Sequence, residues 1–125
     1  MIWSAWLFSA KRLWQRPSLR FVTILTGIVL LGGTIFFLVR MIPLASQGES
    51  VIVHYNIYLG VDEVRPVYWI FLLPLFWWSL TLFDMILAYG LYRSDPQLAT
   101  SLVCLAFVWS IPWLVTLYYL TLVNV

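Results

Sequence analysis

The chain has 125 residues, 63% of them hydrophobic and only 10% charged, with a formal net charge of +2. Soluble domains carry roughly a quarter charged residues, so this composition excludes an ordinary soluble surface and points to a chain covered by lipid. Cys104 stands alone, which excludes a disulfide within the chain and any cysteine ligand cluster.

Residues 2–16 read as an amphipathic helix. Trp3, Trp6, Leu7, Ala10, Leu13 and Trp14 recur at helical spacing and form one face. Lys11, Arg12, Gln15 and Arg16 lie on or beside the opposite one. Tryptophan on one side and cations on the other suit a helix lying flat at the headgroup level, so Trp3, Trp6, Lys11, Arg12, Trp14 and Arg16 are expected to anchor the chain at the membrane surface. A docking role toward a lipid or a protein partner is the sharper alternative for the same helix. Pro17 ends it.

The first span is expected over residues 20–42, around the uncharged run Phe21–Val39. That run is longer than the roughly 7–15 residues of a signal-peptide core, and Pro43-Leu44-Ala45-Ser46 is a poor cleavage site, so a retained signal anchor is expected. An outer loop follows over 43–66. Within it Val51–Tyr58 alternates in the manner of a short extended segment, and Gly60 and Asp62 supply turn chemistry after it. A second span is expected over 67–92, with Tyr68 and Trp69 at its edge as interfacial anchors. A third is expected over 97–123. Each run reaches the roughly 20 residues that a helix needs to cross a hydrocarbon core of about 30 Å. Pro74 and Pro112 each remove a backbone donor inside a span and can kink it. Transmembrane helices tolerate proline, so ordinary membrane-helix prolines are the expected reading.

The expected fold is therefore an all-α membrane protein: three transmembrane helices, an interfacial N-terminal helix and a short extended outer loop. Lys11, Arg12, Arg16 and Arg20 precede the first span and Arg93 lies between the second and third, whereas only Arg40 and Arg65 bracket the other loop. The positive-inside rule then places the N-terminus in the cytoplasm and the C-terminus outside a cell membrane crossed three times.

Asp84 is the one charged residue within the apolar runs 21–39, 67–92 and 97–125. It lies nine residues from Arg93, about 13 Å deep at 1.5 Å per residue. A carboxyl at that depth costs several kcal/mol, of order 3, unless it is paired or protonated. Matching depth along the other helices brings Thr26 and Gly27 to its level on the first span, and Cys104 and Leu105 on the third. Thr26, Ser101 and Tyr89 become its expected hydrogen-bond partners. Ala99, Ala106 and Ser110 form a small-residue stripe that permits close helix approach, within the bundle or to a neighbouring chain. Trp77, Trp78, Trp109 and Trp113 add more flat surface than three helices bury by themselves, which favours a homo-oligomer or contact with other membrane proteins.

His54, Asp62 and Glu63 fall short of the three- or four-ligand sets of metal centres. No Gly-rich phosphate loop, nucleophile–base set or paired membrane carboxylates occur. No enzyme activity, cofactor or metal is expected, and no nucleic-acid partner, since the cations sit beside a lipid-facing tryptophan stripe.

The stretch IPLASQGESVIVHYNIYLGVDEVRPVYWIFLLPL carries a proline after the first span, then His54, Tyr55, Asn56, Gly60, Asp62, Leu73 and Pro74. Over about residues 40–80 it resembles the loop and second span of a domain found in small bacterial membrane proteins, including SdpI-type toxin-immunity proteins. The wording HYNIYLGVD is similar to short membrane proteins of reduced-genome bacteria. The resemblance implies an outer-loop motif in which His54, Tyr55, Asn56, Gly60 and Asp62 form a fixed turn; it carries no reaction. The expected function is that of a non-enzymatic assembly or regulatory subunit of a bacterial membrane complex. The alternatives are an immunity or envelope-signal protein sensing a peptide through the outer loop, and a small oligomeric transporter using Asp84.

Overall fold

The computed structural model describes residues 2–48, 50–56 and 60–124, apart from the side chains of Ile2 and residues 54–63. Its elements run α1 (Ile2–Trp14), α2 (Pro17–Ser46), β1 (Ser50–Asn56), β2 (Gly60–Pro66), a 3-10 helix (Val67–Phe71), α3 (Leu72–Leu91) and α4 (Pro96–Asn124). Three segments are long and apolar enough to cross a membrane: Pro17–Ser46, Val67–Leu91 and Pro96–Asn124. The chain is a multi-pass, all-α membrane protein with one small hairpin.

Helix boundaries follow local chemistry. Arg16 is extended, as a residue before proline must be, and Pro17 opens α2 where its missing N–H has no helical acceptor to lose. Asp95 accepts the Leu98 N–H at 2.9 Å ahead of Pro96, so an acidic cap and a first-turn proline start α4 together. The expected end of the first span near Pro43 is corrected. α2 runs through Pro43 to Ser46, because a proline one turn from the end costs a single bond, and the Ser46 hydroxyl donates back to the Pro43 carbonyl at 2.6 Å. Gly48 then turns the chain at φ +69°, a left-handed conformation that glycine adopts freely. Pro74 is an ordinary helix proline in position. It lies in the first turn of α3, just after the 3-10 segment, and marks a helix start rather than an interior kink. Pro112 does lie inside α4.

α4 packs against both α2 and α3. The buried stripes repeat at helical spacing: Leu19, Thr26, Leu30, Gly33, Phe37 and Met41 on α2, and Ala99, Val103, Ala106, Ser110, Leu117 and Thr121 on α4. Two apolar clusters result. Leu30, Phe37, Met41, Val51, Ile70, Trp77 and Leu117 fill the hairpin end, and Leu13, Leu19, Ala88, Tyr92, Ala99 and Val103 fill the α1 end. Many large apolar side chains, Phe21, Ile28, Leu75, Phe83 and Leu122 among them, point away from the bundle, as residues in lipid do.

The extended outer segment forms an antiparallel hairpin, with Ile52 opposite Val64 and Asn56 opposite Gly60. Gly60 thus begins the second strand rather than supplying the turn. The connection at 57–59 and the side chains of His54, Tyr55, Asn56 and Asp62 lie outside the described residues. Asn124, in the last turn of α4, fastens the hairpin to the bundle. Its amide accepts the Ile52 N–H at 2.7 Å and donates to the Ile52 carbonyl at 2.8 Å. Ile52 therefore turns both backbone groups away from β2, and the side-chain amide satisfies an edge that would otherwise be open.

Candidate functional site

The expected cluster around Asp84 does not assemble. The Thr26 hydroxyl donates to the Val22 carbonyl at 2.8 Å within its own helix. Ser101 is exposed on α4. Tyr89 reaches across to α2, where its hydroxyl donates to Thr23 Oγ1 at 3.4 Å. Depth matching found the right level on α4, since Leu105 does lie beside Asp84. It could not give the direction in which each side chain leaves its helix.

Asp84 instead shares a face with residues of its own helix. Trp77, Thr81 and Asp84 follow at i, i+4 and i+7, a spacing that stacks side chains on one side. This spacing was readable in the sequence, but Trp77 and Thr81 were not among the expected partners. The three line a cavity of about 370 Å³ between α3 and α4, closed by Leu80, Leu105, Ala106, Trp109 and Trp113. Ala106 removes bulk from the α4 wall and lets this space exist. Trp109 stands at its side, 56% exposed.

The cavity holds unused polar chemistry. Trp77 is 1% exposed, and its Nε1 is the buried side-chain nitrogen or oxygen left without a hydrogen bond among the described residues. Within the same residues neither the Asp84 carboxyl nor the Thr81 hydroxyl has a partner. Most buried polar groups are paired, so the buried Trp77 N–H is an exception, and the half-buried Asp84 carboxyl and the Thr81 hydroxyl line the same cavity. Donors and acceptors are all present: the indole can only donate, and the carboxylate can only accept.

The small-residue stripe resolves in favour of the bundle. Ala99, Ala106 and Ser110 are all buried, and the Ser110 hydroxyl donates to the Ala106 carbonyl at 2.8 Å. The complementary close approach on α2 is Gly33, where a β-carbon would stand 2.7 Å from Leu114 Cδ1 and 3.2 Å from the Trp77 ring. Two hydroxyls on α2 also stitch that helix to α3: Thr23 to Tyr89, and Thr34, which accepts from Trp78 Nε1 at 3.0 Å.

The surface helix divides its expected face in two. Trp6, Ser9 and Leu13 turn toward the bundle. Trp6 Nε1 donates to the Ile86 carbonyl at 3.4 Å and its ring lies over Gly90. The Ser9 hydroxyl accepts the Arg93 N–H at 3.0 Å, and Leu13 is fully buried. Trp6, half-buried, thus packs α1 onto α3. Ser9, a polar residue between apolar ones, went unnoticed in the sequence. Trp3, Leu7 and Trp14 remain exposed beside Lys11.

Among the described residues no group of three or more His, Cys, Asp or Glu could hold a metal ion. Compared with models of known families, with characterised proteins and with solved structures, the chain matches none.

Proposed function

We propose that the chain is a non-enzymatic assembly or regulatory subunit of a bacterial cytoplasmic-membrane complex, acting through helix contacts in the bilayer. Its N-terminus and the Arg93 turn lie in the cytoplasm and its hairpin outside. The observation that carries this reading is the unpartnered Asp84–Thr81–Trp77 set beside α4. In hydrocarbon a polar group finds relief in another helix's polar side chain, an interaction worth roughly 1 kcal/mol and specific in register. A neighbouring chain, either a second copy or another membrane protein, supplies it here. Mild extraction followed by native mass spectrometry is expected to show a stoichiometric complex, and Asp84→Leu to release the partner while the chain stays in the membrane. A strict monomer in both forms sinks the reading.

The cavity beside Asp84 favours one second reading, a small oligomeric transporter in which this carboxyl carries a proton or cation. An Asp84→Asn protein with undiminished proton-coupled flux would end it.

A further inference from the structure

Three arginines meet where α1 crosses the α3–α4 turn. Arg12, Gln15 and Arg16 face Tyr92, Arg93 and Pro96 across a cavity of about 390 Å³, within the size range of small-ligand pockets. The arrangement is built rather than incidental. Ser9 ties α1 to the Arg93 backbone, and the Arg12 and Arg93 guanidinium groups flank one ring, 4.6 and 5.6 Å from the centroid of Phe8. Phe8 thereby holds two like charges together.

None of the three arginines has an ion-pair partner among the described residues. Asp95, the carboxylate nearest in sequence, uses its Oδ1 to cap α4. Three like charges lining one pocket repel one another, and an anion between them lowers that cost. Guanidinium forks match phosphate oxygens in pairs, which a point charge cannot do.

Position decides the source of the anion. The pocket lies at the ends of all three candidate spans, where a helix long enough to cross the hydrocarbon core meets the headgroup region. Beside the pocket the Phe8 ring, against which Arg12 and Arg93 pack, is 46% exposed, whereas the exposed Trp3, Leu7 and Trp14 lie on the opposite face of α1. A cationic pocket at the span ends, beside an exposed aromatic ring, suits a molecule with a charged head and apolar tails. We propose that the Arg12–Arg16–Arg93 pocket binds the phosphate of an anionic phospholipid headgroup, whose acyl chains leave it beside Phe8. Only the choice of leaflet rests on the orientation proposed above, in which the cytoplasmic face supplies the anionic lipid.

The test is native mass spectrometry of the full chain in mild detergent, titrated separately with phosphatidylglycerol, phosphatidylcholine and inorganic phosphate. One phosphatidylglycerol per chain is expected to be retained, with a preference of about tenfold over phosphatidylcholine. The triple substitution Arg12→Gln, Arg16→Gln, Arg93→Gln should lower that retention by about tenfold or more, and Arg40→Gln at the opposite end should leave it intact. Equal retention of phosphatidylcholine, or an unaffected triple variant, overturns the proposal. So does displacement of the lipid by inorganic phosphate at matched concentration, which marks a site for free anions. Should the triple variant lose its helical circular dichroism, Arg16→Gln alone and the salt dependence of the native chain decide. Retention must then fall with the single substitution and with added salt, and insensitivity to both is again contrary.

Discussion

At the scale of single residues, two glycines of one helix have opposite meanings. Gly33 sits where α2 meets α3 and α4, and a methyl group there would press on the Trp77 ring and on Leu114. Leu114 can swing toward lipid, but the Trp77 indole is held by the core. At Gly27 no atom lies within 4 Å of an added β-carbon. Gly33→Ala is therefore expected to lower thermal stability in detergent by about 1–3 kcal/mol through overpacking. Gly27→Ala should be neutral or raise it by up to about 1 kcal/mol through helix propensity. Equal effects at the two positions would contradict the packing. Asp84 teaches the same lesson. Its presence in a span was legible as an anomaly, and so was its depth. Its companions were not, because three helices of known level can still be rotated freely about their own axes.

At the scale of elements, α1 shows how an amphipathic pattern can be read correctly and assigned too broadly. Trp3, Trp6, Leu7, Ala10, Leu13 and Trp14 do share a broad apolar arc. Part of that arc packs on α3, and part remains for lipid. The dividing feature is Gly90, whose bare backbone lets the Trp6 ring lie flat: a β-carbon there would stand 2.9 Å from it. Gly90→Val is expected to lift Trp6 off α3, break the Ser9–Arg93 hydrogen bond and undock α1, leaving the three spans folded. Hydrogen exchange in detergent checks this. Amides of residues 5–14 should exchange at least about tenfold faster, those of α4 unchanged, since undocking lowers the free energy of local opening. Unaltered exchange in α1 would mean that the helix is held by something other than this contact. The hairpin is the converse case. Its alternation was visible, but its attachment to the end of α4 through one asparagine amide was not, because Ile52 and Asn124 are 72 residues apart.

At the scale of the whole molecule, the hairpin and the end of α4 share one end of the bundle, and α1 and the Arg93 turn share the other. Three crossings require this arrangement, and the cations cluster at the α1 end. The proposed orientation can be checked with single cysteines in a Cys104→Ser background. A membrane-impermeant maleimide applied to intact cells is expected to label Gln47→Cys, and to label Ser94→Cys only after lysis. The reverse pattern overturns the orientation and moves the arginine pocket to the outer leaflet.

The sequence by itself determined the class, the number of spans, the existence of a surface helix and the oddity of Asp84. These depend on local properties: the length of apolar runs, the cost of charge in hydrocarbon and the period of a helix. Tertiary structure decided the rest. It turned Thr26, Ser101 and Tyr89 away from Asp84 and set Thr81 and Trp77 beside it. It buried the Ala99–Ala106–Ser110 stripe within the bundle and closed three arginines around one pocket. A helix that is apolar on every side carries no mark of which side meets its neighbours. Only packing, where Gly33, Gly90 and Ala106 let partners approach, fixes those rotations.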